Sequence, residues 1–297
     1  MNSTDISSLT LLKTINEQSC PILSLIVLSD GRLASCSYTK DVKIYDINND
    51  YHCDITIPIP GVSYVSQLTN GHLIASLTSD IQILSITKDS FKLEHTIQKA
   101  HSTIITKTVE LTKERFASCS NDKTIKVFDY KSYSLIKTLE GHKEYVQAML
   151  YIKGKDILLS GSYQENIHIW NLSTYQCETV IKDVYCVSRN SLYQIDDNKV
   201  IAGGLNKVWV IDLLSNAVIC SFEDYQLNSV FCFLTIKDGS LLCGSRNSSL
   251  LKLDIENKKI IAKKENFHDY EVSSLVNIND NVFASGSFDF SIKIWKY

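Results

Sequence analysis

Residues 283–297 read FASGSFDFSIKIWKY, and this stretch decides the fold. Residues 283–287 are a short β-prone run. Phe288-Asp289-Phe290 is a turn that carries an acid. Residues 291–297 are a second run, with Ile292, Ile294 and Tyr297 set between polar residues. Two such runs about a tight turn predict a hairpin. A lone hairpin is marginal in water, so its partners must come from elsewhere in the chain. The pattern recurs six times upstream: LASCSYTKDVKIYDI at 33–47, LIASLTSDIQILSI at 73–86, FASCSNDKTIKVFDY at 116–130, LLSGSYQENIHIWNL at 158–172, VIAGGLNKVWVIDL at 200–213 and LLCGSRNSSLLKLDI at 241–255. With Ser35, Ser76, Ser118, Ser160, Gly203, Cys243 and Ser285 as equivalent mid-strand positions, the spacings are 41, 42, 42, 43, 40 and 42 residues. Alternation is of period two, and Ile, Val, Tyr and Ser dominate. Helical arrays would instead place apolar residues at i, i+3, i+4 and i+7. The period predicts propeller blades of four short strands.

The expected fold is therefore all-β: a seven-bladed β-propeller with four antiparallel strands per blade. Residues 1–8 are polar and read as a disordered N-terminal segment, and residues 9–297 as a single propeller. Residues 9–16 (LTLLKTIN) resemble residues 134–140 (SLIKTLE), a fourth strand, yet no first three strands precede them. The last unit has three strands and then stops. The N-terminal strand is thus expected to close the last blade, which leaves no open seam in the ring. Blade five is the least regular unit, with a second hairpin expected to be two residues shorter than the others.

Composition excludes several functions. A net charge of −3 gives no electrostatic case for nucleic acid. No run approaches the length of a membrane helix, and no basic region followed by an apolar core opens the chain, so neither membrane insertion nor a signal peptide is expected. The nine cysteines include no C-x-x-C pair and no zinc-ligand spacing. They read as free thiols in a reducing compartment, the cytoplasm, with the nucleus as the alternative. There is no phosphate loop, no H-E-x-x-H, no calcium loop and no Cys/His cluster. No catalytic residue, metal, cofactor or small-molecule substrate is expected. Lys258, Lys259, Lys263 and Lys264 read as protection of an exposed outer strand.

These repeats resemble the WD-repeat β-propeller family over essentially the whole chain. Gly141-His142 is the Gly-His pair that stands before an inner strand. No unit has Trp-Asp; the equivalents are Tyr45-Asp46, Phe128-Asp129, Trp170-Asn171, Ile211-Asp212, Leu253-Asp254 and Trp295-Lys296. The resemblance implies a buried hydrogen-bonded set: a His before the inner strand, a Ser in the second strand, an Asp in the turn and a Trp in the third strand. Blade seven offers His268, Ser285, Asp289 and Trp295. Blade three offers His101, Ser118 and Asp122, with Phe128 at the Trp position. Blade four offers His142, Ser160 and Trp170, with Gln164 at the acid position. His, Ser and Asp are also the parts of a catalytic triad, but nothing supplies an oxyanion hole or an exposed nucleophile, so the set reads as a structural pin.

The resemblance further implies that partners dock on the face bearing the turns between second and third strands. The residues just before the turn acids are Tyr38, Ser79, Asn121, Tyr163, Asn206, Arg246 and Phe288. Tyr38, Arg246 and Phe288 belong to neighbouring blades, with Glu271 a nearby charge. Tyr163 and Tyr145 form a second cluster. Tyr and Arg are typical of interface hot spots. The expected function is a non-catalytic scaffold or adaptor for protein–protein interaction, presenting a rigid face to a protein or peptide partner in a larger complex. The alternative is a substrate-recognition module for phosphorylated or acidic motifs, for example in a ubiquitin-ligase assembly. That use needs an arginine cluster, and of Arg32, Arg115, Arg189 and Arg246 only Arg246 and, at the channel mouth, Arg189 are expected to face this way.

Overall fold

The computed structural model describes residues 6–16, 18–38, 40–112 and 114–297. Seven four-stranded antiparallel sheets follow one another along the chain. Blade one is Ile22–Val27, Leu33–Ser37, Asp41–Asp46 and His52–Pro58. Blade two is Tyr64–Gln67, Leu73–Ser76, Ile81–Ile86 and Phe91–Ile97. Blade three is Ile105–Glu110, Arg115–Ser120, Ile125–Asp129 and Leu135–Leu139. Blade four is Val146–Ile152, Ile157–Ser162, Asn166–Asn171 and Gln176–Lys182. Blade five is Leu192–Gln194, Lys199–Gly203, Lys207–Asp212 and Ala217–Glu223. Blade six is Val230–Thr235, Leu241–Ser245, Leu250–Asp254 and Lys259–Lys264. Blade seven is Val272–Asn279, Val282–Ser287 and Ile292–Lys296, and its fourth strand is Thr10–Ile15 from the other end of the chain.

That last pairing closes the ring as expected, with Leu11 opposite Trp295 and Ile15 opposite Ile292. The inner strands of blades seven and one are also in contact. The burial gradient explains the sequence pattern. Second strands such as Leu33–Ser37 are buried along their whole length, between sheets on both sides. Outer strands such as Phe91–Ile97 are largely exposed and tolerate charge. Apolar clusters form between adjacent blades; one joins Leu23, Cys36 and Ile44 of blade one to Val65, Ala75 and Leu84 of blade two. Where blade seven meets blade one, a Cβ on Gly286 would lie 2.6 Å from Ile22 Cγ2, so only glycine lets the sheets approach this closely.

Two expectations need correction. Residues 1–5 lie outside the described residues, but Ile6–Ser8 is a 3₁₀ turn rather than a disordered segment. Ile6 is buried among Leu9, Phe267 and Trp295, and that apolar contact orders the turn. The register of blades two and five also differs. Cys119 pairs with Ile125, six residues on, but Ser76 pairs with Ile81 and Gly203 with Val208, five residues on. Both hairpins are one residue shorter than that of blade three. The equivalents of Ser118 are accordingly Ala75 and Ala202, not Ser76 and Gly203.

Candidate functional site

The buried polar sets hold the turns that build one face of the ring. In blade seven the Trp295 indole N–H donates to Ser285 Oγ (2.9 Å), the Ser285 hydroxyl donates to His268 Nε2 (2.7 Å), and His268 Nδ1–H donates to Asp289 Oδ2 (2.8 Å). Asp289 also accepts from the Asp269 N–H and from Ser291. The order of donors makes the histidine neutral, with its proton on Nδ1. Burial pushes the His268 ring down in pKa, against the pull of Asp289. Burial is the largest single influence on Asp289 and opposes its ionisation, but His268, the Ser291 hydroxyl and the Asp269 N–H together outweigh it and hold the carboxyl well below the usual carboxylate range. Blade three repeats the set with His101 Nε2 to Ser118 (2.7 Å) and His101 Nδ1 to Asp122 (2.8 Å), and Phe128 contributes packing in place of the indole bond.

Blade four departs from the expectation. Ser160 still joins His142 Nε2 (2.6 Å) and the Trp170 indole (2.8 Å). The acid, however, is Glu165 and not Gln164. Glu165 takes the Lys143 N–H (3.1 Å) and the Ser162 hydroxyl (3.1 Å), as its longer side chain allows. Its carboxylate stops 3.8 Å from His142 Nδ1, which has no hydrogen-bond partner. His168 stacks on His142 at 3.8 Å between centroids. Burial first, and the neighbouring His168 second, push His142 down to about 3. Above pH 6.5 both folded and unfolded chains hold it neutral. Below that the unfolded chain takes a proton that the folded chain refuses until about pH 3, so stability is lost as pH falls through this window. Lowering the pH from 7 to 5 is expected to remove about 2 kcal/mol through His142 alone. Urea titrations at the two pH values check this, and a His142→Asn protein should show a flatter profile.

Blade one holds a set that sequence reading missed. Gln18 Nε2 donates to Ser35 Oγ (2.8 Å) and to the Tyr45 hydroxyl (2.7 Å), so Gln stands in for His and Tyr for Trp. Its position 17 residues before Ser35, as His101 stands before Ser118, was the available signal.

A recurrent backbone bond ties these turns, and that of blade six, to the inner strands. Tyr38 N–H donates to Pro21 O, Asn121 to Ile104, Tyr163 to Tyr145, Arg246 to Ser229 and Phe288 to Glu271. Each residue before the turn is thereby fixed beside the residue that leads into its inner strand. Tyr163 and Tyr145 are directly joined, and Tyr38, Tyr145 and Tyr163 are 46%, 47% and 42% exposed. Arg246 is exposed and lies 3.5 Å from Glu271. Phe288 is not the open aromatic that the turn sequence suggested: it is half-buried, with its ring 6.3 Å from Phe231 and packed on the cluster between blades one and two. Phe290 is the exposed ring of that turn. Arg32 and Arg115 lie at the opposite end as clasps between blades, donating to Thr87 and Lys88 carbonyls and to the Leu172 carbonyl. In the basic outer strand, Lys263 pairs with Glu265 and Lys264 lies over Trp295. Among the described residues no group of three or more His, Cys, Asp or Glu could hold a metal ion, and no helix is long and apolar enough to cross a membrane.

Segments 92–129, 133–171 and 263–296 match the family described as WD domain, G-beta repeat. The first two take in most or all of the outer strand of one blade and three strands of the next, and the third the end of blade six's outer strand and three strands of blade seven; the blades so marked are three, four and seven, which carry the His–Ser pair. The chain thus carries three WD40 repeats on a seven-bladed propeller. It is similar to COMPASS component SWD3 of Saccharomyces cerevisiae, at 23% identity over 90% of this chain and 92% of that protein. It also resembles nuclear distribution protein nudF of Aspergillus niger (34% identity over 39% of this chain) and pre-mRNA-processing factor 19 homolog 2 of Arabidopsis thaliana (22% over 62%). The matches span 27% and 36% of those two relatives.

Proposed function

We propose that the protein is a non-catalytic interaction scaffold, presenting the face around Tyr38, Tyr145, Tyr163, Arg246, Phe288 and Glu271 to a protein or peptide partner within a larger assembly. The observation that carries this reading is the repeated backbone bond that fixes three exposed tyrosines and an arginine on one rigid face. A prepaid arrangement of this kind loses little conformational entropy on binding. Likeness to a protein named as a component of COMPASS, over nearly its whole length, supports a role as a subunit of a complex. Nine free cysteines suit a reducing compartment, cytoplasm or nucleus. The alternative, recognition of acidic or phosphorylated motifs by this face, has weaker support, because Arg246 already has Glu271 as a partner.

Affinity purification from the native cell tests the reading. A Tyr38→Ala/Tyr163→Ala/Arg246→Ala protein, matched to the parent in melting, is expected to lose a defined set of bound proteins. An unchanged set would rule out this face. Phe288 is left in place because its half-buried ring also packs the ring mouth.

A further inference from the structure

The two shortened hairpins each have a cavity beside the turn. That of blade two is lined by Ser79, Lys99, Lys126 and Glu140 among others, and its mixed charges point to no single ligand. That of blade five is lined by Leu205, Asn206, Glu223, Asp224 and Tyr225 and has a volume of about 240 Å³. Its rim is built by an exception to the recurrent backbone bond. Tyr38, Asn121, Tyr163, Arg246 and Phe288 each donate within their own blade, but the Asn206 N–H donates to the Asn228 carbonyl, in the loop that leads into blade six (2.6 Å). In return the Asp224 N–H donates to the Asn206 carbonyl (2.9 Å) and the Val230 N–H to the Gly204 carbonyl (3.1 Å). Leu227 of that loop is fully buried and anchors it. Asn247, the residue after Arg246, donates from Nδ2 to the Gln226 carbonyl (3.2 Å) and ties the loop to the blade-six turn. The cavity is therefore preformed.

Its lining is part apolar and part acidic. Leu205 is 48% exposed and Tyr225 89% exposed. Scattered apolar residues on a surface need no explanation, but these two share one fixed hollow with two carboxylates. Glu223 is neutralised by Lys207 at 3.2 Å, and Lys207 is itself held 5.7 Å from the Trp209 ring centroid. Asp224 accepts the Gln226 N–H on Oδ1 (2.8 Å) and has no ion-pair partner among the described residues. The volume falls below the roughly 300–1,000 Å³ of pockets that hold free small molecules, so the cavity suits one inserted side chain. Lysine and arginine are the side chains that join an apolar stem to a cationic head. A cation beside a tyrosine face gains a further attraction.

We propose that this cavity is a socket for one lysine or arginine side chain of a protein partner, with the stem against Leu205, the charged head at the Asp224 carboxylate and the Tyr225 ring beside it. The socket adjoins the blade-six turn that carries Arg246. It rests on the scaffold reading for its occupant and adds to that reading a chemistry: the docking segment carries a basic residue.

NMR titration of the isotope-labelled full chain tests it. The probes are acetylated, amidated, glycine-flanked peptides that differ only in a central lysine, arginine or norleucine. At least one of the two basic peptides is expected to shift the backbone amides of Leu205, Asn206, Asp224 and Tyr225 saturably, in the millimolar range, while the norleucine peptide leaves them in place. Asp224→Asn keeps an acceptor for the Gln226 N–H, should melt as the parent does, and is expected to weaken binding about tenfold. Tyr163→Ala, a variant of the tyrosine face, should bind the peptide as the parent does. Equal shifts from norleucine, equal affinity in Asp224→Asn, or no shift at these amides overturns the socket. Tighter binding of arginine or of lysine identifies the head, and either supports it. The scaffold reading fails separately: a Tyr38→Ala/Tyr163→Ala/Arg246→Ala protein that keeps all its bound proteins overturns that platform and leaves the peptide result untouched.

Discussion

Replacing Asp289 by alanine is expected to cost about 3 kcal/mol of unfolding free energy, a fall of roughly 6 °C in melting temperature. Asp289 accepts from His268 Nδ1, from the Asp269 N–H and from both the N–H and the hydroxyl of Ser291. Alanine leaves the buried His268 donor only the longer contact to Ser291 Oγ (3.2 Å), and a poorly satisfied buried donor costs much of its desolvation penalty. The loss passes along the set, since His268 positions Ser285, which receives the Trp295 indole. Asp122→Ala in blade three should cost a similar amount, because His101 would likewise keep only a longer contact, to Thr124 Oγ1 (3.3 Å). Blade four supplies the control. Gln164→Ala should change stability by less than about 0.5 kcal/mol, since the acid there is Glu165, which contacts Lys143 and Ser162. Melting curves of the three variants decide the matter. An Asp289→Ala curve that overlays the parent would remove the network from any part in stability.

The architecture was legible because propeller blades announce themselves by period, and seven copies of one hairpin average out local irregularity. The closing strand was legible for the same reason: residues 9–16 look like a fourth strand without a blade. The site was only partly legible. The spacing of 21 residues from His101 to Asp122 and from His268 to Asp289 located two polar sets, because Asp can reach the ring from one turn position alone. It failed in blade four, where glutamate is one methylene longer and reaches from the next position. It failed in blade one, because Gln18 and Tyr45 share hydrogen-bonding capacity with His and Trp but not identity. Registers in blades two and five slipped by one because the hairpin length is set by turn geometry, which alternating apolar residues do not encode. The depth of Phe288 depends on neighbouring blades far away in sequence, which no local pattern reports.

Removing residues 1–16 is expected to abolish the cooperative unfolding of the whole ring. Thr10–Ile15 is the outer strand of blade seven, and without it Ile292–Lys296 becomes a bare edge with unpaired backbone groups. The segment also buries Ile6, Leu9 and Ile15. Each such side chain contributes roughly 1.5–3 kcal/mol, so together they approach the entire stability of an ordinary domain. Ile6 and Leu9 pack with Phe267 and Trp295, so their loss also loosens the wall around His268 and the Ser285 bond. The truncated chain should elute as aggregate in size-exclusion chromatography and melt without a sharp transition. Adding a peptide of residues 6–16 should restore a monomeric peak, because an exposed strand edge accepts a matching strand from solution. Ile15→Asp tests the same contact without truncation and should lower the melting temperature strongly, while Leu12→Ser, at an exposed position of that strand, should leave it unchanged. A truncated protein that stays monomeric and melts within about 2 °C of the parent, a change of no more than roughly 1 kcal/mol, would mean that the ring holds closed through its inner strands alone.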